Sequence, residues 1–108
     1  MPNVTIALLE PIEGAKAQIK EIVLRPPKYR DIAVLGEPSA YARSDDGLMF
    51  TSDKDEVVHG YIERLLVEPQ DAALLEQLGL ADALKLREAV HGFFQAARKA
   101  ISADKSTT

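Results

Sequence analysis

The chain contains no cysteine. A disulfide framework and a thiolate zinc site are thereby excluded. No apolar run approaches the ~18 residues a membrane span needs. The N-terminus, Met1-Pro2-Asn3-Val4-Thr5, lacks a basic segment leading into a long apolar one, so no signal peptide is expected. Positive charge is in short supply. Thirteen Lys and Arg stand against 17 Asp and Glu, for a net charge of −4 and a pI near 5.1. That balance argues against general nucleic-acid binding and against a polybasic membrane surface. There is no Gly-rich phosphate loop, no G-x-S-x-G and no H-E-x-x-H. No nucleophile stands at a supporting distance from a base. The expectation is a protein with no enzymatic activity, no cofactor and no metal; the lack of cysteine is compatible with the cytosol.

What is present suits one small domain with a modest core: 108 residues, 46% hydrophobic. The acidity is uneven. Residues 37–108 hold 13 of the 17 carboxylates and only 8 of the 13 cations. The first third is slightly basic, with Lys16, Lys20, Arg25, Lys28 and Arg30. Such charges suit an acidic partner, but they also simply guard a small sheet's edge.

Residues 4–9 alternate branched and small side chains and read as a strand. Pro11 and Gly14 punctuate a turn region over residues 10–15. Residues 19–24 read as a second strand, so residues 4–24 are expected to form a β-hairpin. Period two puts Ile19 and Val23 on one side of it and Ile22 and Leu24 on the other. A hairpin apolar on both faces is marginal alone. One face can take helices and the other a partner subunit, which predicts self-association.

A helix is expected over residues 27–35, opened by Pro27, with Tyr29, Ile32, Ala33 and Leu35 as its apolar set and Gly36 as its stop. Asp31 falls near its positive N-terminal end. Residues 37–52 read either as a second small hairpin about Asp46-Gly47 or as an irregular loop. From Asp53 the period changes to that of a helix. Val57, Val58, Tyr61, Ile62, Leu65 and Leu66 form the stripe of a helix over 53–67, capped by Ser52 or Asp53. A short helix is expected over 71–78. A last one is expected over 82–102, capped by Asp82, with Ala83, Leu86, Val90, Phe93, Ala97 and Ile101 as its seam. Residues 103–108, small and polar, are expected to be a disordered tail on a single domain of residues 1–102.

Few side chains suggest chemistry. His59 and Glu63 lie at i, i+4, and His91 follows Glu88 by three. Neither pair gains a third ligand at helical spacing, so both read as solvated faces. Asp45, Asp46, Asp53 and Asp55 cluster without EF-hand spacing. Phe93 and Phe94 are adjacent, so one is expected in the seam and the other at its margin. Core and interface roles are equally open to them.

The most informative stretch is Leu24-Arg25-Pro26-Pro27-Lys28-Tyr29-Arg30-Asp31, a strand-to-helix corner. With its order of flanking elements it resembles the tail assembly chaperones of long-tailed phages, the Mu-like prophage type. The corner is similar to that family's Leu-Arg-x-Pro-x-x-x-Asp. Ile6-Ala7-Leu8-Leu9-Glu10-Pro11-Ile12 is similar to its leading strand and Pro-Ile turn. Leu74 to Phe94, with Asp82 and Phe93-Phe94, is similar to its short helix, aspartate and terminal aromatic pair. The stretch from Tyr41 to Thr51 departs from the pattern.

The resemblance implies a non-catalytic chaperone in the host bacterium's cytoplasm. It would coat the tape-measure protein while the tail tube polymerises, self-associate, and in many phages act beside a frameshifted longer form of itself. The competing class is a small self-associating interaction or regulatory module of another family. The fold class expected is α+β: an N-terminal hairpin packed on a C-terminal half of four helices, two of them short. A partner site is expected at Arg25, Lys28 and Arg30 of the corner, with Leu74, Leu78, Leu86, Val90, Phe93 and Phe94 lining a groove for a partner helix.

Overall fold

A computed structural model describes residues 1–43, 45, 47 and 49–106, with side chains left out at 40–43, 49–51 and 105–106. The fold is α+β. Strands β1 (Val4–Glu13) and β2 (Gln18–Leu24) form the expected antiparallel hairpin. Helix α1 (Tyr29–Leu35) follows, then a second hairpin of β3 (Ser39–Arg43) and β4 (Met49–Asp53). Of its turn residues, Asp46 lies outside the described residues. Helix α2 (Asp55–Leu65) leads directly into β5 (Leu66–Glu68), then a 3-10 turn over Ala72–Gln77 and the long helix α3 (Leu80–Ser106). No helix among the described residues is long and apolar enough to cross a membrane.

Several expected boundaries move. Helix α1 begins at Tyr29 rather than Pro27, because the prolines belong to the extended approach. The α2 stripe ends at Leu65. Leu66 turns to extended backbone at φ −62°, ψ 123° and opens β5, which adds to β2 at Leu24. The hairpin is thus two strands of a three-stranded sheet in the order β1-β2-β5. Helix α3 continues to Ser106 instead of ending near 102, so residues 103–106 are helical; residues 107–108 lie outside the described residues. Pro11 marks a bulge, not a turn. Ala7 pairs with Glu21 and Ile12 with Ile19, so residues 8–11 stand opposite Lys20 alone. Proline is tolerated there because it has no ladder hydrogen bond to lose. The turn falls later, where the Gly14 amide donates to the Ala17 carbonyl at 3.0 Å.

The core lies between the sheet and the two longer helices. Ile6, Ile22 and Leu24 meet Val58, Tyr61, Ile62 and Leu65 of α2 and Leu86, Val90 and Phe93 of α3. Spacings of i, i+4 and i+7 on each helix make that stripe. Ile19 packs against this core, and Thr5, Ala7 and Glu21 are exposed around half-buried Val23. The hairpin's second face is therefore less apolar than period two suggested.

Tyr61 ties α2 to α1. Its ring is buried and packs edge-on against Phe94, centroids 5.3 Å apart. Its hydroxyl donates to the Gly36 carbonyl at 2.5 Å. Gly36 ends α1 at φ 77°, a conformation glycine adopts without steric cost. Burial pushes the Tyr61 hydroxyl's pKa up from its ordinary value. Tyr61→Phe is expected to lower stability by about 1 kcal/mol in urea unfolding, since it removes that hydrogen bond.

Candidate functional site

The strand-to-helix corner is organised by Asp31. Only 2% of Asp31 is exposed, and it is the one buried residue of α1. Arg25, leaving β2, donates to both carboxylate oxygens at 2.8 and 3.0 Å. Arg64, from the last turn of α2, adds a third bond at 2.5 Å. The Lys28 amide adds a fourth at 2.7 Å and so caps the start of α1. Bidentate, charge-assisted bonds of this kind are the strong ones. The Arg25 hydrogen bond, with Lys28 and Arg64, holds the Asp31 carboxyl far below its usual pKa against the opposing pull of burial. The backbone follows, as the Arg25 amide donates to the Leu65 carbonyl at 2.9 Å. Strand β2, helix α1 and the α2–β5 junction are thus locked through one carboxylate.

That lock turns α1 inside out. Of the apolar set expected for α1, Tyr29 is 84% exposed, Ile32 38% and Ala33 exposed too, and only Leu35 is half-buried against the core. A seven-residue helix has one buried face. Arg25 and Arg64 claim it for Asp31.

The exposed side of α1 forms one wall of a groove. Pro27, Tyr29 and Ile32 face Phe94, Ala97 and Ile101 of α3 across a cleft of about 290 Å3. Lys28 lies on its rim. Glu37 and Arg98, also lining it, form an ion pair with each other.

The sequence-expected site residues divide four ways. Leu86, Val90 and Phe93 are buried in the core, where their 3-4 spacing faces the sheet and α2; Phe93 also lines the groove. Leu74 and Leu78 are half-buried about the 3-10 turn, away from the groove, with Leu78 packed on the core. Of the cations, Arg25 is engaged by Asp31, Lys28 is at the groove and Arg30 is exposed. Phe94 is half-buried and reaches the groove, as the seam-and-margin reading of the two rings expected. The groove itself was missed. Its signal was present in Ala97 and Ile101, assigned to the α3 seam but lying beyond the part the sheet covers.

Asp82 also departs from expectation. Gly79 occupies the N-terminal cap of α3, its carbonyl accepting from the Ala83 amide at 3.0 Å. The Asp82 side chain, 1% exposed, reaches across to the bulge of β1 instead. It accepts from the Leu9 and Glu10 amides at 2.8 and 3.1 Å. These bonds, led by that from Leu9, lower its pKa. The Lys85 ammonium donates to the Ala7 carbonyl at 2.8 Å, and Gln77 both donates to and accepts from the Glu13 backbone at 2.9 Å. Side chains of the 3-10 turn and α3 thus satisfy one edge of the sheet.

His59 pairs with Glu63 at 3.0 Å on an exposed face. His91 turns to Asp53, at 3.5 Å, rather than to Glu88. Among the described residues no three His, Asp or Glu side chains converge as metal ligands would.

Comparison with protein-family models, with curated proteins and with solved structures gave no significant match.

Proposed function

We propose that the protein is a non-catalytic tail assembly chaperone that binds the tape-measure protein of a long-tailed phage or prophage. The observation that carries the reading is the groove between α1 and α3. Its floor is apolar, its α1 wall exposes Tyr29 and Ile32, and its one carboxylate, Glu37, is taken up by Arg98. A surface of that kind suits an apolar segment of another protein better than a small polar substrate, which needs convergent polar groups. The corner supports the reading too. Arg25 and Asp31, the two charged fixed residues of Leu-Arg-x-Pro-x-x-x-Asp, are bonded to each other, so the motif describes one rigid unit. Arg25 then acts as a positioning residue. The partner surface moves from Leu74, Leu78, Leu86 and Val90 to Tyr29, Ile32, Phe94, Ala97 and Ile101.

The test is co-expression with the tape-measure protein of its phage or prophage. The tape-measure protein is expected to stay soluble and to co-purify. If it does neither, the chaperone reading fails.

A small self-associating module remains the second reading, favoured by exposed Leu80 and Leu84 at i, i+4 on the first turns of α3. Light scattering at tens of micromolar, with and without the tape-measure protein, separates the two readings. An oligomer that dissociates with Leu84→Glu supports self-association through α3, and a strict monomer removes it.

A further inference from the structure

We propose that the α1–α3 groove docks an amphipathic helix of a partner protein whose apolar stripe is flanked by Asp and Glu. The partner's identity rests on the chaperone reading; its chemistry rests on the groove alone.

The apolar part follows from the walls. Phe94, Ala97 and Ile101 recur at i, i+3 and i+7, covering about 10 Å of α3. Tyr29 and Ile32 stand opposite, one helical turn apart. A cleft of about 290 Å3 lies at the small end of the ~300–1,000 Å3 of ligand sites. It is therefore suited to a few side chains projecting from a docked element. Matching two turns of α3 asks that element for apolar residues at i, i+3 or i+4, and i+7.

The occupant's backbone must be satisfied before it arrives. The walls are chiefly side chains of α1 and α3, joined by Met1, Pro27, Lys28 and Glu37, and among the described residues no strand edge lines the groove. An extended peptide would bury amides and carbonyls against apolar carbon without partners, at a cost of roughly 1–3 kcal/mol each. A helix brings those bonds with it.

The charge follows from the rim. Glu37 is neutralised by Arg98. Among the described residues no carboxylate pairs with the Lys28 ammonium. Arg30 and Lys99 are exposed on the same two helices but do not line the groove, so the charge at the groove is that of Lys28. The uncompensated charge here is positive, on a chain whose net charge is −4. Two copies docked groove to groove would oppose like charges, whereas an acidic flank would meet opposite ones.

Binding is read by fluorescence anisotropy with two synthetic helical peptides of about 18 residues, long enough for helix to form. Both carry Leu at i, i+4, i+7 and i+11; one is flanked by Glu and its twin by Lys. The Glu peptide is expected to bind the full chain and the Lys twin to bind about tenfold more weakly. Tyr29→Asp should weaken the Glu peptide about tenfold. Tyr29 is exposed, and Asp suits the first turn of a helix, so the variant is expected to fold, as thermal unfolding will check. Lys28→Glu should cost the Glu peptide about threefold and return the same factor to the Lys twin. Equal binding of the twins, no binding of the Glu peptide, or indifference to Tyr29→Asp overturns the proposal. So does a dimer that Tyr29→Asp dissociates, which would make a second copy the occupant. If the tape-measure protein stays soluble with Tyr29→Asp as with wild type, the groove assignment fails while the chaperone reading stands. If the Glu peptide binds but the tape-measure protein does not, the reverse holds.

Discussion

Asp31→Ala is expected to lower the unfolding free energy by about 2–4 kcal/mol at pH 7. The carboxylate accepts four hydrogen bonds from three segments of the chain. Removing it leaves Arg25 and Arg64 facing each other as like charges and the Lys28 amide without its acceptor. The loss is held toward the lower end because both guanidinium side chains are about a third exposed and can rehydrate. Against a typical total of ~5–15 kcal/mol the loss is large. Asp31→Asn, which keeps the shape and one acceptor oxygen, should cost less. Arg25→Lys should also destabilise, because an ammonium cannot reproduce the bidentate pair.

The pH dependence has a definite sign. The Asp31 pKa is depressed in the folded state. Its contribution is therefore full above the unfolded value of about 3.9 and is lost as pH falls toward the folded one. The stability gap between wild type and Asp31→Asn should be flat from about pH 5 to 8 and narrow below about pH 4. Urea unfolding at pH 7, 4 and 3 measures it. A gap of the same size at pH 3 would show that the loss is steric rather than electrostatic.

Asp82→Ala is expected to reduce Tm by on the order of 5–10 °C and to make the protein aggregate on heating. Asp82 alone satisfies the Leu9 and Glu10 amides, which the bulge has removed from the β-ladder. β1 is an outer strand of the sheet. An outer strand with unpaired amides is a template for another chain. The truncation also removes one of the links between α3 and β1 while leaving the buried seam of α3 in place. Differential scanning fluorimetry with light scattering reads both effects. Lys85→Met serves as a control, because it removes only the single bond to Ala7 and should shift Tm less. Unchanged Tm and scattering for Asp82→Ala would mean that the edge is protected by other contacts.

What the sequence made legible was local. The hairpin followed from period two, and the helical half from the change of period after β4. The Arg25-to-Asp31 corner followed from two prolines and an acid. Whatever depends on distant partners stayed hidden. Leu66-Val67-Glu68 continues the α2 stripe, so nothing local says that these residues leave the helix to pair with Leu24. Pro11 reads as a turn until the register shows residues 8–11 bulging out. Asp82 looks like a cap because an acid at a helix start usually is one; its true acceptor role lies on β1. The orientation of α1 was misjudged because apolar spacing cannot register that Arg64 draws Asp31 inward. The groove shares that cause. It joins residues near position 30 to residues near position 100, and neither set announces the other.

The bond from the Leu9 amide to Asp82 spans 73 positions of sequence. At synthesis rates of ~5–20 residues per second, Asp82 emerges on the order of 4–15 s after Leu9. Hairpins form in microseconds, so β1 and β2 can pair long before α3 exists. During that interval the nascent hairpin must wait with its bulge amides bonded only to water. The last helix is therefore both the element that completes the fold and the one that sets its earliest finishing time.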